Sequence, residues 1–337
     1  MADDRITLAH GAGGRLTQQL ITDVFAPAFH NDVLAQLNDA ALLSLQGQAR
    51  LAFSTDAHVV QPLFFPGGDI GELAVFGTVN DLAMMGARPL WLAAAFVLEE
   101  GLPLNDLRHV VESMAAAAAR AGVQLVAGDT KVVPRGQADG MYISVAGVGL
   151  VPEGVHVAAH AAQPGDVVLV NAPIAAHGMA VMLQREGLRM DADLESDAAP
   201  LYDVVAALLA AAPHTHTLRD ATRGGLATVL VEIAQAAHVG VLVREADVPV
   251  HPVAQEACAL LGLDPMYVAN EGVFVAFVPP EEAENALSAL RAHPLGRQGR
   301  AIGEVMDAPA GQVVLETALG ARRLLPMLSG NLLPRIC

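Results

Sequence analysis

The chain has 337 residues, 53% hydrophobic and 16% charged, which is enough apolar material for two domains with full cores. Its formal net charge of -17 excludes nucleic acid and anionic membrane surfaces as partners, since both need a basic face, but not a nucleotide that arrives with magnesium. No apolar run approaches the roughly 18 residues that span a bilayer, and Met1-Ala2-Asp3-Asp4-Arg5 lacks the basic and apolar stretches of a signal peptide. A cytoplasmic protein is expected.

Strands and helices alternate along the chain, which predicts α/β or α+β architecture. His10-Gly11-Ala12-Gly13-Gly14 precedes a helical pattern that starts at Arg15. Residues 51–54 read as a strand running into a polar turn at Asp56. Phe65-Pro66-Gly67-Gly68-Asp69 opens another helix. Both glycine clusters suit a loop whose backbone N–H groups approach phosphate oxygens, although neither has the P-loop spacing. In Gly77-Thr78-Val79-Asn80-Asp81 a turn is expected to open a helix. Residues 106–121 read as a helix, from Leu107, Val110, Val111 and Met114, with Asn105 as N-cap. Strands are expected at 124–127 and 141–145. Gly128-Asp129-Thr130-Lys131 follows the first of them, and 149–154 reads as a domain junction.

The second half repeats the alternation. Strands are expected at 167–170 and 273–278. Helices are marked by Leu201, Val204, Val205 and Leu208, by Leu226, Val229, Leu230 and Ile233, and by 281–292. The loops Asp220-Ala221-Thr222-Arg223-Gly224-Gly225 and Asn270-Glu271-Gly272 are polar. His214 and His216 read as loop residues. Cys258, in an apolar helical segment, reads as a buried core thiol. Pairing of Cys258 with Cys337 is not expected in a reducing compartment.

Several of these residues suit phosphate chemistry. Asp56, Asp81 and Asp129, with Asp39 as a fourth, recur at turns beside glycine, asparagine and threonine. Carboxylates that converge at strand ends are what magnesium requires. Each taken alone also fits a turn-former or an N-cap. Lys131 is the only lysine in the chain, placed to neutralise charge during phosphoryl transfer. Glu271 suits a general base or a structural turn. The chain closes on Pro334-Arg335-Ile336-Cys337. The preceding Pro326, Gly330 and Pro334 preclude a long helix, so the segment reads either as a tether of about 40 Å that carries a nucleophile or as a frayed end.

These motifs, in this order and over essentially the whole chain, resemble the HypE family of hydrogenase maturation proteins. The terminal Pro-Arg-Ile-Cys joined to Gly128-Asp129-Thr130-Lys131 is the most specific part of the match. The family belongs to the ATP-binding superfamily of aminoimidazole ribonucleotide synthetase and selenophosphate synthetase. The resemblance implies a two-domain PurM-like fold. An ATP-binding and dimerisation domain spans 1–150, an α/β domain 155–322 and a mobile tail 323–337, with the N-terminal sheet forming a barrel across a homodimer.

It also implies a chemistry. A carbamoyltransferase, HypF, places a carboxamide on Cys337. ATP then drives its dehydration to a thiocyanate, and the cyanide passes to iron on a HypC–HypD complex for nickel–iron hydrogenase. ATP is expected on Asp56, Gly67, Gly68, Asn80, Asp81, Gly128, Asp129, Thr130 and Lys131, and magnesium on Asp39, Asp56, Asp81 and Asp129. Cys337, Lys131 and Glu271 are the expected catalytic residues, with His10 as the alternative base. Asn38 stands where the superfamily usually has a second aspartate. Two other readings are an ATP-dependent synthetase or kinase for a free metabolite, in which Cys337 is dispensable, and a binding module with a C-terminal docking tag.

Overall fold

A computed structural model describes residues 14–25, 33–36, 38–44, 50–330, 333 and 335–337. His10 and Gly11 to Gly13 lie outside the described residues. The chain forms α1 (Arg15–Leu20), β1 (Ala41–Ser44), β2 (Arg50–His58), β3 (Phe64–Phe65), β4 (Gly68–Asp69), α2 (Ile70–Met84), β5 (Arg88–Glu99), α3 (Leu104–Arg120), β6 (Gln124–Val133) and β7 (Met141–Val151). Next come β8 (Val167–Val170), α4 (Ala176–Glu186), α5 (Tyr202–Ala211), β9 (Thr217–Asp220), α6 (Gly225–Ala237), β10 (Gly240–Arg244), α7 (Pro252–Leu261), β11 (Phe274–Val278), α8 (Ala283–Ala292), β12 (Arg300–Met306), β13 (Gln312–Glu316) and β14 (Arg322–Leu325).

Two sheets result. The first has the order β1-β2-β7-β5-β6, and the second β14-β13-β10-β12-β8-β11-β9. Because β14 belongs to the second sheet, the segment that leaves it starts at Pro326 rather than at residue 323. Side chains alternate along the first sheet. Ala52, Ser54 and His58 of β2 are buried and Asp56 is half-buried, all on one face, and Phe53, Thr55 and Ala57 are exposed on the other.

Helix α2 covers the inner face of this sheet and is buried on almost every side. It packs on β2 and β7 and also touches α5 and β9 of the second domain. A helix buried all round needs apolar residues all round, which its sequence supplies. Gly77 was expected in a turn but stands in the middle of this helix. A Cβ there would come within 2.8 Å of His58 Cε1, so glycine allows the helix to approach β2 closely. Asp69 caps the helix, accepting from the N–H groups of Gly71 at 2.7 Å and Glu72 at 3.1 Å. Helix α3 starts at Leu104 after Pro103 and has no side-chain cap, so Asn105 is already helical.

Candidate active site

Three buried asparagines shape the centre of the molecule. Asn80 on α2 donates to the carbonyls of Ala199 at 3.0 Å and Glu271 at 3.1 Å and accepts from Leu201 N–H at 2.9 Å. Asn171 donates to Gly272 O at 3.0 Å and accepts from Phe274 N–H at 2.8 Å. Asn270 accepts from Ala175 N–H at 2.7 Å and donates to Ala221 O at 2.7 Å. The Glu271 N–H donates to Asp197 Oδ1 at 3.1 Å. Gly272 has no room for a side chain, since a Cβ would lie 1.9 Å from Asp197 O. The loop that carries Glu271 is therefore fixed from both domains. Asn80, expected as an ATP ligand, spends its whole amide on this linkage.

Glu271 is almost fully buried, and its Oε1 has no hydrogen-bond partner. Burial, then the nearby carboxylates of Asp56, Asp220 and Asp197, push its pKa well above the ordinary value. A protein retains an unpartnered buried carboxyl at a cost, and such groups concentrate at functional sites.

Beside it lies an acidic cluster drawn from both domains. Asp81 accepts from Ser54 Oγ at 2.5 Å. Burial and the charges of Asp220, Asp56 and Asp39 raise its pKa strongly. Asp220, at the end of β9, is raised in the same way by burial and by Asp39. Asp39 pairs with Arg219, which also reaches Glu232 at 3.1 Å. Burial still lifts Asp39 to about 6 despite that arginine.

The four aspartates expected to share a metal divide into two groups. Asp39, Asp56 and Asp81 converge, and Asp220 joins them. Asp129 does not. The register runs Asp56–Val145–Ala94–Gly128 across four strands, and Ala57–Ser144–Ala95–Asp129 in the next row. Asp129 is thus three strands from β2, about 14 Å away, and on the opposite face of the sheet. It was expected just after a buried strand but lies within the exposed edge strand β6. There its carboxylate pairs with Lys131 Nζ at 2.7 Å and accepts from Thr130 N–H at 2.8 Å. Among the described residues, no group of three or more His, Cys, Asp or Glu side chains is arranged to hold a metal ion by itself.

Pro66 and Gly67 form the tight turn between β3 and β4, and Gly68 pairs with Phe65 as the first residue of β4. Gly67 has φ 88°, and a Cβ there would lie 2.7 Å from Ser196 N. Its glycine therefore serves the turn and the close approach of residues 195–196. Ser196 N–H also donates to Pro66 O at 2.8 Å. His214 and His216 pair with Glu282 and Asp166 respectively, and Cys258 is buried in α7.

The C-terminal residues lie in this centre. The Val59 N–H donates to Cys337 O at 3.2 Å, and Ile336 is buried against the core of the first domain. The Cys337 thiol is pushed far up in pKa, chiefly by burial; Arg223 opposes the shift, and Glu271, Asp56 and Asp220 add to it. Two members of the site were missed in the sequence. Asp220 and Arg223 belong to a loop recognised as polar, and the signal for both was its position directly before the Gly224-Gly225 helix entry. Gly224 and Gly225 have φ 80° and 65°, and a Cβ on Gly225 would lie 2.7 Å from Met266 O. Arg223 Nη2 is 3.9 Å from Asp56 Oδ1.

Comparison with known proteins agrees with this architecture. Residues 37–151 match the family model described as AIR synthase related protein, N-terminal domain, and residues 163–316 match its C-terminal domain. The chain is 52% identical to the carbamoyl dehydratase HypE of Cupriavidus necator, over 99% of this chain and 95% of that one. It is 45% identical to the Escherichia coli protein of the same name, over 99% and 100%. Among solved structures it is similar to HypE in a HypE–HypF complex (TM-score 0.87, 45% identity, 92% of this chain and 99% of that one). It is also similar to HypE in complex with ATP (TM-score 0.83, 49% identity, 99% and 100%). Full-length identity of this order, on two AIR synthase related domains, makes the chain a member of the HypE family of carbamoyl dehydratases.

Proposed function

We infer that the chain dehydrates an S-carboxamide on its own Cys337 to a thiocyanate at the expense of ATP, as a step in supplying cyanide to nickel–iron hydrogenase. The observation that supports this most directly is the seat of Cys337. The terminal sulfur lies among Arg223, Glu271, Asp56 and Asp220, on a tail held inside the protein rather than free in solvent.

The residues present suit the chemistry. ATP supplies the phosphoryl group that turns the amide oxygen into a leaving group. Arg223 balances negative charge beside the sulfur. Glu271, unpartnered and with a raised pKa, is suited to take an amide proton and return it to solvent. Docking of the tail, with Ile336 buried and Cys337 half-buried, restricts the access of water to an easily hydrolysed intermediate. The covalent tether replaces an encounter between two molecules.

The acidic cluster also fits magnesium. That ion takes one or two carboxylates and keeps waters and phosphate oxygens as its other ligands, so a complete protein cage is not required. Asp56 and Asp81 would hold it, and its charge would relieve their repulsion with Asp220.

The outer face of the first sheet supports a homodimer. Phe53, Trp91 and Leu150 are all exposed there, an apolar face that the described residues leave uncovered. A second copy seated on it would close the sheets into a barrel. Asp129 and Lys131, isolated on that same face, would then line the seam as nucleotide ligands, and β6 would lose its open edge. A HypF-type carbamoyltransferase would load Cys337, and a HypC–HypD complex would receive the cyanide. Among the described residues no helix is long and apolar enough to cross a membrane.

The test is the intact mass of the C-terminal peptide after carbamoylation, with and without Mg-ATP. Loss of one water from the Cys337 adduct only with ATP is expected. An adduct that never loses water would leave a carrier or docking role. The absence of any adduct would point to a free metabolite as substrate.

A further inference from the structure

The groove that holds the tail has the construction of a peptide-recognition site. Leu333 packs against the cores beside it, and residues 335–337 make its hydrogen bonds. On one wall, the Val59 N–H donates to Cys337 O and the Gln61 N–H to Arg335 O, each at 3.2 Å. Alternate residues bonded in opposite order on two segments are the pattern of an added antiparallel strand, here beyond the end of β2.

The opposite wall is α4. His177 Nε2 lies 2.8 Å from Ile336 O, and Arg185 Nη2 donates to Arg335 O at 2.6 Å. His177 is fully buried, with its Nδ1 2.8 Å from Ser196 Oγ and its ring edge-on to Phe65. Nε2–H donating to the tail carbonyl, with the serine hydroxyl donating to Nδ1, satisfies both nitrogens. Arg185 is itself held by Gln61 O.

The side chains are read as well as the backbone. Ile336 enters an apolar pocket formed with Val60, Phe65, Val181 and Ala269. Arg335 pairs with Asp139 and donates to Gln61 Oε1 at 2.6 Å. Every tail carbonyl from 335 to 337, and both side chains before the cysteine, therefore has a dedicated partner.

We propose that this groove is a binding site for any C-terminal Arg-Ile-Cys peptide, and that it accepts an S-carbamoylated peptide supplied in trans as a substrate. The substrate part rests on the dehydratase reading given above. The balanced step is R–S–C(O)NH2 + ATP → R–S–C≡N + ADP + phosphate. The C–O bond breaks, the oxygen leaves in phosphate, the two amide protons are lost and the S–C bond persists. The tether then contributes effective concentration, typically millimolar, and not recognition.

The test uses the full chain carrying Arg335→Glu and Cys337→Ser, which places a carboxylate against Asp139 and frees the groove of its own tail. A second host, Cys337→Ser alone, keeps the tail as a competitor. The probe is N-terminally fluorescein-labelled Leu-Leu-Pro-Arg-Ile-Cys, followed by anisotropy without nucleotide. Saturable binding at or below about 1 mM is expected, tighter in the first host. Replacing the peptide's Arg by Glu should weaken it by about tenfold or more. The S-carbamoylated peptide should lose one water with Mg-ATP. No saturable binding to either host, or equal binding of the Glu peptide, overturns the site. Sequence-selective binding without loss of water overturns the trans-substrate claim if the wild-type chain dehydrates its own adduct. If the wild-type chain does not dehydrate it either, the selective binding upholds the groove and the dehydratase reading fails.

Discussion

Asn80→Ala separates a structural role for this amide from a nucleotide-binding one. The substitution removes three hydrogen bonds, to Ala199 O, Glu271 O and Leu201 N–H, at a residue 1% exposed. Buried groups left unpaired cost about 1–3 kcal/mol each. Partial relaxation around the smaller side chain brings the expected total to about 3–5 kcal/mol. For a chain of this size that is a fall in Tm of about 4–7 °C. Asn80→Asp keeps the shape but sets a carboxylate against two carbonyls, and should destabilise at least as much as alanine. The assay is thermal unfolding beside ATP titration calorimetry well below Tm. ATP affinity of the folded protein should stay within about threefold of wild type. A Tm within about 2 °C of wild type together with an ATP affinity reduced more than tenfold would refute the reasoning and return Asn80 to the nucleotide.

Lys131→Ala should leave Tm unchanged, because an exposed ion pair contributes little, yet reduce ATP-dependent water loss from the Cys337 adduct by about a hundredfold or more; full activity would remove Lys131 from the chemistry. Gly77→Ala should lower Tm despite alanine's better helix propensity, since the added Cβ lies 2.8 Å from His58 Cε1 and 3.3 Å from Asp56 Oδ2; a stabilised variant would contradict the close packing of α2 on β2. Stability should rise as pH falls from about 8 to 6.5. Asp39 and Asp197 titrate near 6 in the fold, and Asp81, Asp220 and Glu271 are also raised, so the folded state holds more protons than the unfolded one there. Below the ordinary histidine value the gain should level off, because buried His58 and His177 are depressed and resist protonation. A Tm that falls steadily between pH 8 and 6.5 would show that these acids are ionised in the fold. Finally, the half-buried Cys337 thiol, with its pKa raised, should react with a maleimide at pH 8 at least about tenfold more slowly than the same cysteine in a free peptide, and Ile336→Ala should remove most of that protection. Equal rates for protein and peptide would mean that the tail is not docked in solution.

By itself the sequence determined the two-domain α/β plan and the family, and it singled out Cys337 and Glu271 as candidates for the chemistry. These rest on local patterns: strand and helix periodicity, loops of glycine and acid, and an unusual last tetrapeptide. Only the tertiary structure decided which residues meet. Asp56 and Asp129 occupy similar turns in the sequence, but sheet pairing sets them three strands apart on opposite faces, while Asp220 reaches the cluster from the other domain. Gly77 and Asn80 resemble a loop until helix α2 is enclosed, where glycine answers to His58 and asparagine to three backbone groups from elsewhere in the chain. In sequence the tail reads either as a tether or as a frayed end because its partners, His177, Arg185, Gln61 and Asp139, are remote along the chain. Local preference sets the elements, whereas side-chain function is set by neighbours that only folding supplies.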